Sequence, residues 1–389
     1  MARERLRVEG GRALFVRPVV LEPNGRGEML LAGDISFLLE QRPGGAGWAF
    51  VSEDSTFGAI IPAAGEPVVV PAPIPTRLIG GTRALAREDG GWDVVFAQVH
   101  GYTGRSRPFT VERLWHGVLD GARWRRLEPV PVPAGDGDTL DVTHASALLR
   151  VGDTLFWAAS LRRPGVDATT LFAGRGGAWE HEIVPTLGAG YPRIAHADSL
   201  GLVLAVVGPD RTLPSDGNSL ILWTRRPEWR PYRKLVPSSR EQVYDPWISL
   251  SPGSEVAGWV AGVEDSAGAR TEAHAMWGRL DQGAPVAVLD PAVRTYGQFA
   301  VRPLEPAAGV RLWVLAHVLA DGRTSELRIV QESGGAAAPL AAIPVSFPAG
   351  FVAALPAPGR LLVAGAEHDA EQRMVVSLLL RFQVDCPSP

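Results

Sequence analysis

The sequence predicts an all-β fold, a seven-bladed β-propeller of four-stranded antiparallel blades. An apolar run of strand length recurs seven times, and turn residues bound each run. No stretch shows the i, i+3, i+4, i+7 spacing of an amphipathic helix. Dividing 389 residues by seven gives about 56 residues per unit, a length that suits one blade.

The apolar runs are the second strands of the predicted blades, and a shorter apolar segment before each run is the first strand. A third strand of mixed character follows, and then a fourth after a turn rich in Gly or Pro. The 44 Gly and 33 Pro of the chain supply these turns. Four Trp residues mark the predicted fourth strand and indicate packing between blades: Trp48, Trp124, Trp179 and Trp229. The second strands are residues 29–33, 92–97, 154–159, 202–207, 256–261, 311–316 and 360–365.

The last unit, residues 351–384, has only three strands. Residues 5–9 precede the first unit and are predicted to supply the missing strand, so that the ring closes by pairing the two ends of the chain. Six blades, or a pair of β-sandwich domains, are the alternatives. No long polar linker divides the sequence, which predicts a single domain over residues 1–389.

The charge and the cysteine content of the chain argue against several classes of partner and cofactor. There are 38 basic and 42 acidic residues and no basic block, which argues against a nucleic-acid partner. Cys386 is the one cysteine, so an intrachain disulfide and a thiolate metal cluster are excluded. No apolar run approaches the roughly 18 residues that would predict a membrane span. We therefore expect a cytoplasmic monomer that does not contact a membrane.

A binding site is expected where the first strands begin, because the connections between second and third strands emerge on the same face of a propeller. Three of these connections, residues 99–108, 208–218 and 262–271, are long, as binding loops often are. The sequence predicts a ligand-binding propeller that recognises a small molecule, glycan or peptide at this face, over the central channel. The candidate ligand-binding residues are Arg17, Arg77, His144, Tyr191, Arg193, Tyr244, Asp245, Trp247 and Tyr296.

Four histidines fall on the same predicted face: His100, His144, His317 and His368. Neutral imidazoles that converge on an axis can hold a divalent metal, the one cofactor that the sequence suggests. Such a ring resembles the non-haem iron site of the carotenoid oxygenases, which would make the protein a metal-dependent lyase or oxygenase. Ordinary loop histidines are the alternative interpretation.

The start of the first blade, residues 15–25 followed by Met29-Leu30-Leu31-Ala32, resembles sialidase-type propellers. In that family an aromatic-Arg-Ile-Pro motif opens the first blade and its Arg binds the substrate carboxylate. Two later stretches resemble this motif more weakly, namely Tyr191-Pro192-Arg193-Ile194 and Tyr244-Asp245-Pro246-Trp247. Sialidases have six blades and repeated Asp-box turns, whereas this sequence predicts seven blades and has only Ser215-Asp216-Gly217-Asn218 as a related turn.

The resemblance implies a glycoside hydrolase in which Arg17, Arg77 and Arg193 hold an anionic substrate. Tyr244 or Tyr296 would then be the nucleophile, activated by a carboxylate such as Glu264. A scaffold for protein–protein assembly is the remaining class, which would require an exposed apolar patch. The identity of the ligand stays open at this point, because one fold supports many functions.

Overall fold

A computed structural model shows a seven-bladed β-propeller with four-stranded antiparallel blades, as the sequence predicts. The structure describes residues 2–8, 12–41, 48–50, 56–74, 79–100, 110–131, 139–140, 146–163, 166–186, 190–209, 218–235, 241–251, 254–264, 270–280, 287–288, 300–307, 310–318, 325–333, 336–345, 351–357, 360–369 and 374–383. These residues contain strands and turns but no helix, and hence no helix that could cross a membrane.

The strands are numbered in chain order. The first eleven are β1 (Ala2–Arg5), β2 (Arg7–Val8), β3 (Arg12–Pro23), β4 (Met29–Gln41), β5 (Trp48–Phe50), β6 (Thr56–Ile61), β7 (Val68–Pro71), β8 (Ile79–Ala86), β9 (Trp92–His100), β10 (Thr110–Asp120) and β11 (Arg123–Val130). The next ten are β12 (Thr139–Leu140), β13 (Ser146–Val151), β14 (Thr154–Arg163), β15 (Val166–Arg175), β16 (Ala178–Val184), β17 (Gly190–Ala197), β18 (Gly201–Pro209), β19 (Asn218–Arg225), β20 (Trp229–Leu235) and β21 (Glu241–Ser251). The last ten are β22 (Ser254–Glu264), β23 (Arg270–Arg279), β24 (Ala287–Val288), β25 (Ala300–Ala307), β26 (Val310–Val318), β27 (Ser325–Ser333), β28 (Ala336–Val345), β29 (Phe351–Ala357), β30 (Arg360–Asp369) and β31 (Met374–Gln383).

The chain folds into two compact units. One comprises Met1–Tyr102, Val111–Val132 and Val345–Pro389, and the other comprises Thr103–Thr110 and Pro133–Pro344. In the first unit, blade 1 is built on β3, β4, β6 and β7, blade 2 on β8 to β11, and blade 7 on β29 to β31 with β1. In the second unit, blade 3 is built on β13 to β16, blade 4 on β17 to β20, blade 5 on β21 to β24, and blade 6 on β25 to β28. The single domain over residues 1–389 stays a prediction.

Burial explains why the second strands were recognisable. In β18, residues 202–207 are all buried, on both faces of the strand, because neighbouring blades cover the sheet on both sides. In the fourth strand β16, by contrast, exposed residues predominate. Each buried aliphatic side chain of a second strand contributes about 2 kcal/mol of transfer free energy. The cores therefore lie between successive blades.

These cores are shared by neighbouring sheets within each unit. In the first unit, Leu31 of blade 1 packs in one cluster with Val352 and Leu362 of blade 7. In the second unit, Leu204 of blade 4 lies in a cluster with Leu171 of blade 3. Blades of this kind cannot bury their faces alone, so the repeat itself is the source of stability.

The two ends of the chain pair in blade 7, as predicted. β1 runs antiparallel to β31, and Ala2 lies opposite Arg381. The predicted segment, residues 5–9, was placed too late in the chain: the pairing strand is Ala2–Arg5, while Arg7–Val8 pairs with β3 of blade 1. The reason is Leu6, which lies between them and is fully buried in the core of blades 1 and 7.

The Trp residues divide into two groups. Trp124, Trp179 and Trp229 stand at the first or second position of fourth strands, as predicted. Trp48 begins β5, an additional short strand that pairs with β4, and the fourth strand of blade 1 is Val68–Pro71. The prediction for Trp48 is therefore wrong, because blade 1 contains this extra strand before its third.

Candidate functional site

The first strand of blade 4 begins with a β-bulge. Gly190 pairs with Val207 and Arg193 pairs with Ala205, so Tyr191 and Pro192 together oppose a single residue of β18. A bulge of this kind bends the strand and re-aims the side chains beside it, and bulges are frequent next to active sites. Tyr191 and Arg193, both predicted site residues, lie within or directly after it.

The same bulge recurs in blades 2 and 5. In blade 2, Gly80 pairs with Ala97 and Arg83 pairs with Val95. In blade 5, the two flanking pairs are Tyr244 with Val260 and Trp247 with Gly258. Each of the three first strands therefore has one extra residue at an equivalent place. The doubled positions are Gly81-Thr82, Tyr191-Pro192 and Asp245-Pro246.

The backbone of Tyr191 lies in the left-handed region. Its φ is 56°, and among the described residues no other non-glycine residue has a positive φ. At the equivalent position of blade 2, Gly81 has a φ of 62°. This conformation costs a side chain about 1–2 kcal/mol. The half-buried Tyr191 ring packs against the core of blades 4 and 5, which offsets that cost.

Two arginines follow the bulges with similar contacts. Arg193 Nη1 donates a hydrogen bond to the Pro192 carbonyl at 3.1 Å, and Arg83 Nη1 donates to the Thr82 carbonyl at 2.6 Å. Both side chains are half-buried. Arg83 was not among the predicted site residues. The signal that identifies it is the pair Gly80-Gly81 before Thr82, since a glycine there permits the positive φ that the bulge requires.

Trp247, also after a bulge, is a packed side chain. It is 4% exposed, and its ring meets Trp313 of blade 6 edge to face with the centroids 5.3 Å apart. Gly258 on the paired strand leaves room for the ring, because a Cβ there would stand 2.2 Å from Trp247 Cζ2. The buried Nε1 has no hydrogen-bond partner among the described residues. These are the contacts of a core residue, and the predicted stacking on a ligand is not tested by them.

The other predicted ligand residues are located only in part. Arg17 lies in β3, where it pairs with Ile35 directly before a register shift. Tyr244 of β21 pairs with Val260 of β22, and Asp245, the next residue, lies in the bulge. Arg77, His144 and Tyr296 lie outside the described residues.

The predicted metal ligands lie at the far ends of second strands. His100 is the last residue of β9, and His317 and His368 are next to last in β26 and β30. His144 lies outside the described residues. Within the part of the chain that the structure describes, no group of three or more His, Cys, Asp or Glu side chains is arranged to hold a metal ion. The metal site therefore stays a prediction.

A charged network occupies the other end of blade 2. His116 Nε2 lies 2.9 Å from the buried Asp93 Oδ1, and His116 Nδ1 lies 3.0 Å from Glu128 Oε1. Arg87 Nη1 bonds the same Asp93 oxygen at 3.2 Å. Asp93 is the second residue of β9, whereas the bulge lies opposite Phe96, in the middle of that strand. The network thus stabilises the hairpin end of the blade and is separate from the candidate site.

Comparison with known proteins reveals similarity of fold. No protein-family model matches the sequence, and no curated protein matches it. The solved structure of the polysaccharide lyase Uly1 matches with a TM-score of 0.55 and 12% identity, over 98% of this chain and 93% of that one.

Two further solved structures are similar at lower scores. One is the GH93 α-L-arabinofuranosidase of Fusarium graminearum in complex with arabinobiose, with a TM-score of 0.49 and 15% identity over 78% of this chain and 93% of that one. The other is a Synechocystis apocarotenoid oxygenase, with a TM-score of 0.43 and 11% identity over 84% of this chain and 74% of that one. Among these matches, the likeness to Uly1 extends over nearly the whole of both chains, and at 12% identity it is a likeness of fold.

Proposed function

We propose that the protein binds a glycan that carries carboxylate groups, at the first-strand starts of blades 4 and 5. The observation that carries this proposal is the bulge at Tyr191 and Pro192. A tyrosine in the left-handed region is conformationally strained, and strain of this kind is often retained where it orients side chains for a ligand. The equivalent bulge of blade 5 contains Asp245 and follows Tyr244.

The residue types at the bulges suit an acidic sugar. A guanidinium such as that of Arg193 binds a carboxylate through two parallel hydrogen bonds, and a half-buried position strengthens them because less water competes. The Tyr191 ring is half-buried against the core of blades 4 and 5, and the part that stays exposed can contact the apolar face of a sugar while its hydroxyl bonds a polar group. Together they provide the charge and the platform that a uronic acid requires.

The likeness to Uly1 supports the glycan class. It extends over nearly the whole of both chains, and Uly1 is a polysaccharide lyase. Fold alone does not transfer an activity, so the proposal depends on the bulge residues and uses the likeness to choose the first ligands to test.

The experiment is a binding screen with polygalacturonate and alginate as acidic polymers and dextran as the neutral control. Thermal shift serves as the first readout, because a ligand specific to the folded state raises the unfolding temperature, and titration calorimetry measures the affinity. We expect the acidic polymers to bind and dextran not to bind. Arg193→Ala should lower the affinity about tenfold or more, since a charge-assisted pair is lost.

Arg230→Ala is the matched control, because Arg230 is an exposed arginine on the outer strand β20 of the same blade. If Arg193→Ala and Arg230→Ala bind as tightly as the unmodified protein, Arg193 is not part of the site. Binding of dextran alone, or of no polymer, would refute the acidic-glycan proposal.

Cleavage of the bound glycan is the second candidate, favoured by the same whole-chain likeness to a lyase. The bound polymers are therefore incubated with the protein and analysed for products. A lyase leaves an unsaturated uronide that absorbs in the ultraviolet, while a hydrolase releases reducing ends without this absorbance. Binding without either product establishes a binding protein.

A further inference from the structure

Asn218 connects blade 4 to the first strand of blade 5. It is the first residue of β19, and its side-chain amide bonds both backbone groups of Val243 in β21. Asn218 Nδ2 donates to the Val243 carbonyl at 3.1 Å, and the Val243 N–H donates to Asn218 Oδ1 at 2.6 Å. The side-chain amide thus donates through its NH2 group and accepts through its oxygen, both to the backbone of one residue.

This contact lies at an edge of β21 that is paired with none of the described strands. β21 is the first strand of its sheet, and among the described strands it pairs with β22 alone. In a strand the N–H and C=O of one residue point to the same edge, and at Val243 that is the edge Asn218 covers. The side-chain amide therefore bonds the backbone of Val243 as a neighbouring strand would, at an edge with which no described strand pairs. Val243 itself is fully buried, where an unmet backbone group would be costly.

The contact lies next to the bulge of blade 5 and next to a predicted binding loop. Val243 directly precedes Tyr244, and the bulge of blade 5 lies between Tyr244 and Trp247. On the other side, Asn218 is the last residue of the connection 208–218, which the sequence predicts to lie on the binding face. One side chain thus joins the end of a predicted binding loop to the start of a predicted binding strand.

We infer that Asn218 is a positioning residue of the proposed glycan site. It holds the backbone at Val243 and thereby sets the register at which Tyr244 and Asp245 enter the bulge. This inference rests on the proposed function, and it adds a residue that acts through its neighbours and need not touch the ligand.

The test compares Asn218→Ala with Ser219→Ala, a matched control one residue further along β19. Ser219 is fully buried, but its hydroxyl has no hydrogen-bond partner among the described residues. Hydrogen–deuterium exchange over residues 241–251 reports on the contact itself, and calorimetry with polygalacturonate reports on the site. A general loss of stability would instead speed exchange in the peptides of blade 3 as well as in residues 241–251.

For Asn218→Ala we expect faster exchange in residues 241–251, unchanged exchange in the peptides of blade 3, and an affinity for polygalacturonate reduced about tenfold. Ser219→Ala should match the unmodified protein in both measurements. If Asn218→Ala does not fold, Asn218→Asp is measured in its place: the carboxylate keeps an acceptor for the Val243 N–H but replaces the donor with an oxygen that the Val243 carbonyl repels, so faster exchange in residues 241–251 and weaker binding are again expected.

The outcomes separate the inference from the proposed function. If the unmodified protein binds polygalacturonate and the Asn218 variants bind it equally well, the inference is overturned while the proposed function stands. An equal loss of affinity in Ser219→Ala also overturns it. If the unmodified protein binds no acidic polymer, the proposed function fails, and that result is obtained before any variant is measured.

Discussion

Gly117 leaves the space in which the indole ring of Trp124 lies. A Cβ at Gly117 would stand 2.5 Å from Trp124 Cζ3, closer than packed carbon atoms approach. The ring is held from other sides as well: it meets Phe57 edge to face at 5.0 Å between centroids, and its Nε1 donates to the Pro71 carbonyl at 2.9 Å. Through these contacts Trp124 of blade 2 is fixed against blade 1.

Gly117→Ala should therefore destabilise the protein by about 1–3 kcal/mol, because the added methyl group must displace the ring. The urea midpoint of unfolding measures the effect. Gly25→Ala is the control, since Gly25 lies in an exposed turn with open space around its Cα. Equal midpoints for the two variants would show that Trp124 moves aside without cost.

Trp247→Ala should destabilise more strongly, by about 3–5 kcal/mol, because it leaves a cavity beside Trp313. Tyr232→Ala on the outer strand of blade 4 is the comparison, as its ring is 42% exposed and such substitutions usually change stability by less than about 0.5 kcal/mol. Urea midpoints again report the difference. A Trp247→Ala variant as stable as Tyr232→Ala would contradict the packing role of Trp247.

Glu22 makes stability depend on pH. Burial disfavours its carboxylate and raises the pKa of Glu22 from 4.5 to about 7, although the Ala86 N–H bonds the side chain. Between these two values the folded protein binds more protons than the unfolded chain, so the Glu22 contribution to the free energy of unfolding falls as pH rises from 4.5 to 7.

Glu22→Gln removes this titration while it keeps an acceptor for the Ala86 N–H. We expect the variant to be more stable than the unmodified protein at about pH 8. It should also lose less stability between about pH 5 and about pH 8, roughly the range over which a buried carboxyl titrates. Thermal unfolding across the range measures this. Glu66→Gln, at an exposed glutamate, is the control and should follow the unmodified protein. Parallel curves for Glu22→Gln and Glu66→Gln would refute the prediction.

Deletion of residues 2–5 should open the ring. The variant loses the ladder between β1 and β31, at about 1 kcal/mol for each hydrogen bond, and exposes the edge of β31 to other chains. We expect a lower thermal midpoint and concentration-dependent aggregation, measured by light scattering. Deletion of residues 384–389, which follow β31, is the control at the other end. An unchanged midpoint after removal of residues 2–5 would mean that blade 7 is stable with three strands.

The second strands were predictable because their burial is a property of sequence. Residues 202–207 are apolar at successive positions, and the structure buries every one of them. The first strands were found for the same reason, as in Val352 and Ala354, which lie in the core of blades 1 and 7. Ring closure followed from counting strands, although its bounds did not.

The bulges were not predictable from such patterns. A bulge adds one residue to a strand and leaves the apolar character of its neighbours unchanged, so it produces no periodic signal. Arg83 was missed for this reason, although Gly80-Gly81 marks the place. Asn218 was missed because its partner Val243 is 25 residues away, in the next blade. A polar side chain that bonds a distant backbone leaves no mark on local sequence.

The pairing of Ala2 with Arg381 also bears on the order of folding. The strands of blade 4 follow one another directly in the sequence, so each can pair as soon as its neighbour is present. Blade 7, by contrast, requires β1 to meet β31, and the two strands lie far apart in the sequence. Contacts between distant residues are slow to form, so we expect the pairing of residues 2–5 with β31 to be the slowest step of folding.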